Sequence, residues 1–469
     1  MTGGAAKHDI ERLAALGGLS PKEVAGWFKA EPRKTSGFAA DRRAFGAYWQ
    51  KTAGLLSRLP PKVRQSAGED AAANWIRIMA AEARTQFLRA HAETIYDKLT
   101  ANRSRFLRVD ELVSAAAKLV PGLVPAPKEI AAEEGTLQRD KAGLEIAQGV
   151  FISAVLGSER CGTHLCHAML RARTESLELL PKFMNDGAIE LAGGSIERRG
   201  KAAILTYKNP RFLNAEDQAT LDGFEICVDL ALLDHRVEVA VLRGGTVEHP
   251  KYAGRRVFGS GINLTHLYHG RIPFLWYLVR DLGYVNKLYR GLAMDNVAPD
   301  EYGGNTMEKP WIAAVESFAI GGHCQVLLAV DYVLAERTAF MTLPARKEGI
   351  IPGAANMRLP RAVGDRIARQ AIQYERRLEC DSPEGRLICD EIVEPGTMDA
   401  AIERVVTGLT SSGVVSAASN RRAFRITQEP LGMFRNYFSI YAREQAYCHF
   451  SPALIANLEK YWNAANRKP

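Results

Sequence analysis

Val257-Phe-Gly-Ser-Gly-Ile-Asn263 and, further along the chain, Phe318-Ala-Ile-Gly-Gly-His-Cys-Gln325 are two glycine-rich turns whose reading decides the fold. Each follows an apolar run that reads as a strand, and each leads into a helical stretch. Turns of this kind leave backbone N–H groups unpaired and aimed at one point, with a helix N-terminus behind them. Two N–H donors converging on one oxygen make an oxyanion hole, which stabilises negative charge on a carbonyl. A lone Gly-rich turn usually only reverses the chain. The pair carries more weight because Asn209-Pro-Arg-Phe-Leu-Asn-Ala215 lies upstream and Gly349-Ile-Ile-Pro-Gly353 lies downstream.

Outward from the turns, Ala202–Tyr207, Val237–Arg243 and Trp311–Phe318 read as strands, rich in β-branched residues and separated by helical stretches. Asp331–Glu336 and Ala339–Thr342 add two short ones. Strand–helix alternation argues an α/β unit. Residues 1–195 read as helical almost throughout, with apolar residues at helical spacing in Ala39–Trp49, Trp75–Leu99 and Leu144–Leu156. Breaks fall at Pro60-Pro61 and Pro121–Pro127, and Asp110 reads as part of an N-capped helix start. The expected division is a helical N-terminal domain over 1–195, an α/β core over 196–398 and a helical segment over 399–469. The last packs on the core or on a neighbouring subunit.

A chain of 469 residues with 47% hydrophobic and 24% charged residues has ample core for two or three domains. Met1-Thr-Gly-Gly-Ala-Ala-Lys-His-Asp9 has no apolar signal region, and no stretch approaches the roughly 18 apolar residues of a membrane helix. The expectation is a cytoplasmic protein. A net charge of +8 is scattered, with no basic run interleaved with aromatics, which argues against a nucleic-acid partner. It suits a ligand bearing several phosphates equally well. Seven cysteines without a secretion signal should be reduced thiols. Cys161-Gly-Thr-His164-Leu-Cys166-His167 has metal-like spacing but no second ligand pair nearby, and reads as core.

The four ordered motifs resemble the crotonase (enoyl-CoA hydratase/isomerase) superfamily over roughly residues 198–395. The resemblance implies a crotonase-like spiral core of ββα units that binds acyl-CoA thioesters and stabilises their enolates. It also implies a homo-oligomer, a trimer or dimer of trimers. The hole donors would be the N–H groups of Ile262 and Gly322. CoA would lie along His249–Arg256 and the first turn. Its contacts would come from Arg211, Lys251, Tyr252, Arg255, Arg256, Ser260, Gly261, Asn263, Gly321 and His323.

Hydratases of this family use two glutamates as acid and base, at positions held here by Gln325 and Ala345. An amide does not exchange protons near neutral pH and alanine offers no group, so water addition by that route is excluded. Other polar groups stand in odd places. Glu216, where the family is usually apolar, would orient the ring of a substrate, assist proton removal or merely open a helix. Arg280, within the apolar Phe274-Leu-Trp-Tyr-Leu-Val-Arg280, would stabilise a peroxide, anchor Glu216 or pair with Asp281. Gln325 would hydrogen-bond an oxygen-derived group. This pattern resembles the family's cofactor-independent dioxygenases of arylacetyl-CoA thioesters in antibiotic biosynthesis. It implies O2 as co-substrate, no metal, and an apolar oxygen pocket at Leu264 and Ile350. A thioester hydrolase and a non-catalytic assembly subunit are the competing readings.

Overall fold

The computed structural model describes residues 17–33, 35, 37–294 and 306–469. The reading of Met1–Asp9 therefore lies outside the described residues. Among the described residues eight α-helices precede the sheet: α1 Pro21–Lys29, α2 Phe38–Leu56, α3 Ala67–Leu99, α4 Val109–Leu119, α5 Pro127–Ala131, α6 Ile146–Gly157, α7 Glu159–Leu170 and α8 Thr174–Asp186. The long α3 starts where Ser66 and Glu69 cap each other's backbone N–H. At α4 the Glu111 carboxylate, not Asp110, reaches back to the Arg108 N–H at 2.8 Å. A carboxylate three residues into the helix can reach that donor, whereas Asp110 at the second position cannot.

The core opens with β1 Ala188–Leu191, β2 Gly194–Arg199 and β3 Ala202–Tyr207, followed by α9 Gln218–Leu233 and β4 Val239–Gly244. Three short helices follow: α10 Leu264–Tyr268, α11 Leu275–Leu282 and α12 Tyr284–Arg290. Next are β5 Leu292–Ala293, β6 Thr306–Met307, β7 Trp311–Val315, β8 Phe318–Ile320 and α13 Gly322–Leu327. Then come β9 Tyr332–Glu336, β10 Phe340–Thr342, α14 Ala345–Glu348, α15 Ala355–Val363, α16 Asp365–Tyr374, β11 Leu378–Glu379 and β12 Glu391–Val393. Four helices close the chain: α17 Met398–Thr410, α18 Val415–Gln428, α19 Leu431–His449 and α20 Pro452–Trp462.

The main sheet runs β1-β2-β3-β4-β7-β9-β12, antiparallel through β3 and parallel beyond it. A smaller sheet, β11-β10-β8, pairs β10 parallel to β8. This is the expected α/β spiral, with every residue of β4 and β7 buried because both sheet faces are covered. Ala202, Ile204, Val239, Val241, Ile312 and Ala314 face α17, while Ala203, Leu205, Ala240 and Leu242 face the main core. Two elements depart from expectation. Trp311–Phe318, read as one strand, breaks at Ser317 (φ +64°) into β7 and the start of β8, which lie in different sheets. The β1–β2 hairpin lies where the sequence reads as helical, because its two strands are short and its turn rests on Gly193 at φ +80°.

The N-terminal helices are tied into this core rather than set apart from it. Helix α6 packs along α19, and a methyl group at Gly149 would come within 2.5 Å of both the Ala442 carbonyl and the Ala446 side chain. Arg108 donates to both oxygens of buried Glu225 on α9, which also pairs with Lys287 of α12 at 2.7 Å. No helix among the described residues is long and apolar enough to cross a membrane.

Candidate active site

Three stretches of chain are laced together around the two turns. Asn214 donates from Nδ2 to the carbonyls of Gly245 and Val257, both at 2.8 Å, tying the end of β4 to the first turn. Glu216 N donates to Gly261 O at 2.8 Å, and Asn263 N donates to Glu216 O at 2.7 Å. The first turn then pairs with β8, with Ile320 N donating to Gly259 O at 3.0 Å. Gly321 N donates to Thr342 O at 2.9 Å and fixes the second turn to β10.

Gly261 (φ +80°) and Gly321 (φ +55°, ψ −120°) adopt backbone conformations that a side chain resists. Each therefore redirects the peptide that follows it, and the following residues are Ile262 and Gly322. A methyl at Gly261 would lie 3.0 Å from Gly322 N, so the two turns are in contact. Among the described residues neither the Ile262 nor the Gly322 N–H donates to a protein acceptor, and Gly322 opens α13. Both residues line one cavity of about 30 Å³. That volume holds one or two water-sized molecules.

Behind Gly322 stands a buried polar knot. Arg280 Nε donates to both Glu216 oxygens at 3.0 and 2.9 Å, and Nη2 donates to Gly322 O at 2.8 Å. Its Nη1 donates to Asp281 Oδ1 at 2.7 Å and to Gln325 Oε1 at 3.0 Å. Tyr284 adds its hydroxyl to Glu216. Burial alone would raise the Glu216 carboxyl, but the charge of Arg280 and the bonds from Arg280 and Tyr284 hold it below its ordinary value. Glu216 is thus a fixed carboxylate that anchors Arg280, and it lies outside the lining of the cavity. Since Gln325 spends its oxygen on Arg280, its amide N–H group is the one left for the cavity, which Gln325 also lines.

Several expected substrate contacts make hydrogen bonds within the protein. His323 is fully buried, accepts from Gly261 N through Nδ1 at 3.0 Å and packs edge-on to Tyr207 and Phe258. Burial lowers its imidazole to about 4, so it is a neutral strut between the turns. Asn263 caps α10 by accepting from His266 N at 3.1 Å and donates to Asp217 at 3.0 Å. Ser260 donates to Phe212 O at 3.1 Å. Leu264 begins α10 and is not among the residues lining this cavity, whereas Ile350 lines it. Gly321 lines the cavity and Gly261 does not.

The basic residues lie on the outside. Lys251 and Arg255 are exposed, Lys251 covers the Tyr252 ring, and Tyr252 packs edge-on to Phe318. Arg256 is half-buried and donates to Gly244 O at 3.1 Å. Arg211 is exposed above Phe212, its Nη2 3.4 Å from the Lys468 and Pro469 carbonyl oxygens. The His164 ring nitrogen meets Tyr96 OH at 2.7 Å and the ring stacks on Phe106. No group of three or more His, Cys, Asp or Glu among the described residues could hold a metal ion.

Further residues line the cavity. Trp276, Tyr277 and Asp281 of α11, Tyr441 of α19, and Leu343, Ala345, Glu348 and Ile351 complete its wall. Burial, with the charge of Glu375 second, pushes the Glu348 carboxyl up to about 7.

Comparison with known proteins bears on the whole arrangement. Residues 302–424 match the Enoyl-CoA hydratase/isomerase family. The chain is 47% identical over 408 residues to (3,5-dihydroxyphenyl)acetyl-CoA 1,2-dioxygenase of Amycolatopsis orientalis, spanning 87% of this chain and 92% of that protein. It is 26% identical over 237 residues to a short-chain-enoyl-CoA hydratase of Clostridium acetobutylicum, spanning 50% of this chain and 82% of the hydratase. A solved enoyl-CoA hydratase/isomerase of Xanthobacter autotrophicus Py2 superposes with a TM-score of 0.48 at 22% identity, covering 60% of this chain and 100% of that one.

Proposed function

The chain belongs to the enoyl-CoA hydratase/isomerase (crotonase) family, and on that premise we propose that it is a dioxygenase converting 3,5-dihydroxyphenylacetyl-CoA and O2 to 3,5-dihydroxyphenylglyoxylate and CoA. What carries this reading is a two-donor hole that lacks the hydratase carboxylates. Ile262 and Gly322 keep their N–H groups, while Gln325 and Ala345 stand where acid–base chemistry would need glutamates. The relative that matches over most of both chains bears the dioxygenase name.

In this mechanism the thioester carbonyl oxygen sits between the N–H groups of Ile262 and Gly322. Each donor lowers the energy of the enolate by roughly 3 kcal/mol, by analogy with acyl-transfer enzymes. The aryl ring on the α-carbon spreads the same charge further. The electron-rich enolate passes one electron to O2, and the two radicals combine at the α-carbon as a peroxide. That peroxide attacks the thioester carbonyl and expels CoA, and O–O cleavage leaves the arylglyoxylate. Both oxygen atoms enter the product, the two α-hydrogens leave as protons, and no further reductant or metal is consumed. Arg280, held by Glu216, places positive charge behind Gly322, and the Gln325 amide N–H faces the developing peroxide. Ile350, Leu343 and Ile351 supply the apolar wall that O2 prefers. CoA phosphates meet Lys251, Arg255 and Arg211 on the rim. The enzyme works in the cytoplasm as a homo-oligomer.

The test is oxygen uptake by metal-stripped protein given 3,5-dihydroxyphenylacetyl-CoA, with arylglyoxylate and CoA formed in equal amounts. CoA released without O2 at an undiminished rate would establish a hydrolase instead.

A further inference from the structure

The proposed enolate needs a base, and the carboxylate expected to help, Glu216, is locked behind Gly322 by Arg280 and Tyr284. Two other carboxylates line the cavity. Asp281 is held by Arg280 at 2.7 Å and by the Tyr441 hydroxyl. Glu348 is buried at 5% exposure, and no side-chain hydrogen bond or ion pair to it is present among the described residues. It sits at the end of α14, one turn beyond Ala345, and residues at that spacing share a helix face. A methyl at Gly321 would lie 3.7 Å from Glu348 Oε1, so the carboxyl stands beside the second turn, next to the Gly322 donor.

We propose that Glu348 is the general base that takes the α-proton of the bound thioester. This inference rests on the thioester reading of the site. The α-C–H bond breaks toward a Glu348 oxygen, which gains the proton. The bonding pair moves into the enolate, whose oxygen stays between the Ile262 and Gly322 N–H groups. An unpaired carboxylate in a dry wall is a stronger base than one tied to arginine. The charged and titratable groups around it are Tyr277, Arg280 and Asp281 on α11, Tyr441 on α19 and Glu375 after α16. Arg346 and Lys347 on its own helix pair with that Glu375 at 3.1 and 2.6 Å. The raised ordinary value of its carboxyl matches a base poised near neutral pH.

The experiment is anaerobic exchange of the α-hydrogens of 3,5-dihydroxyphenylacetyl-CoA in D2O, read by mass spectrometry for wild type, E348Q and E348D. E348Q should bind a non-hydrolysable arylacetyl-CoA analogue within about twofold of wild type while exchange falls roughly 10²- to 10⁴-fold. E348D should retain part of the rate, and the rise of wild-type kcat/KM through about pH 7 should vanish in E348Q. Exchange by E348Q at the wild-type rate would overturn the proposal, even if oxygen uptake by wild type upheld the dioxygenase. Exchange that depends on Glu348 in a wild type that takes up no O2 would uphold the base and overturn the dioxygenase.

Discussion

At the scale of single residues, Arg280 and Glu348 make opposite uses of burial. Arg280 is buried and fully engaged, so removing it strands Glu216 and Asp281 as buried unpaired charges. Arg280→Met should destabilise the protein by about 3–5 kcal/mol in urea unfolding. The double variant with Glu216→Gln should lose clearly less than the sum of the two single variants, because both break one pair. Glu348 is buried and unpaired, and its folded value is raised from 4.5 to about 7. Its contribution to stability is therefore complete below about pH 4.5 and is lost as pH rises through 7. Glu348→Gln cannot ionise, so its stability relative to wild type should improve by about 3 kcal/mol between pH 4.5 and pH 8. An unchanged difference across that range would refute the raised value. The two residues also differ in how far the sequence shows them. A charge within the apolar Phe274–Arg280 run stands out, as does glutamine or alanine in a motif that calls for glutamate. Glu348 ends Ala345-Arg-Lys-Glu348, where three charged residues follow one another and nothing in their order sets Glu348 apart. Only the packing of α14 against the second turn reveals which of those charges goes inward.

At the scale of elements, what the turns do depends on close backbone approach. Val257 lies against Gly244 at the end of β4, where an added methyl would overlap the Val257 carbonyl. Gly244→Ala should push the first turn outward and shift the Ile262 donor. The expected result is a fall in kcat of about 10- to 100-fold with KM little changed, consistent with loss of part of one hole donor. A variant with wild-type kcat would show that the turn is positioned by other contacts. The parallel strands were legible because they are continuous apolar runs buried on both faces, as in Ala202–Tyr207 and Val239–Gly244. The β1–β2 hairpin was not, because four- and six-residue strands give too few alternations to overcome a helical neighbourhood. His323 and Asn263 sit in motifs that look like ligand contacts, yet their polar atoms bond other turns of the same chain. Spacing along a chain carries no sign of which partner a side chain meets.

At the scale of the whole molecule, the helices before and after the core meet over the cavity. Helix α19 packs on α6, supplies Tyr441 to the cavity wall and holds Ile351 N through Gln445 Oε1 at 2.8 Å. Gly149→Val should wedge α6 from α19, lowering stability by about 1–3 kcal/mol. It should also reduce oxygen uptake, although Gly149 does not line the cavity. Retained activity in such a destabilised protein would separate the two roles of α19. The joint between these helices also has a meaning in time. A ribosome delivers Ile262, Gly322 and Glu348 well before it delivers Tyr441 and Gln445. A chain synthesised only as far as Glu348 therefore lacks the part of the cavity wall that Tyr441 supplies. Synthesis of the C-terminal helices is therefore the last step in building the wall of the cavity.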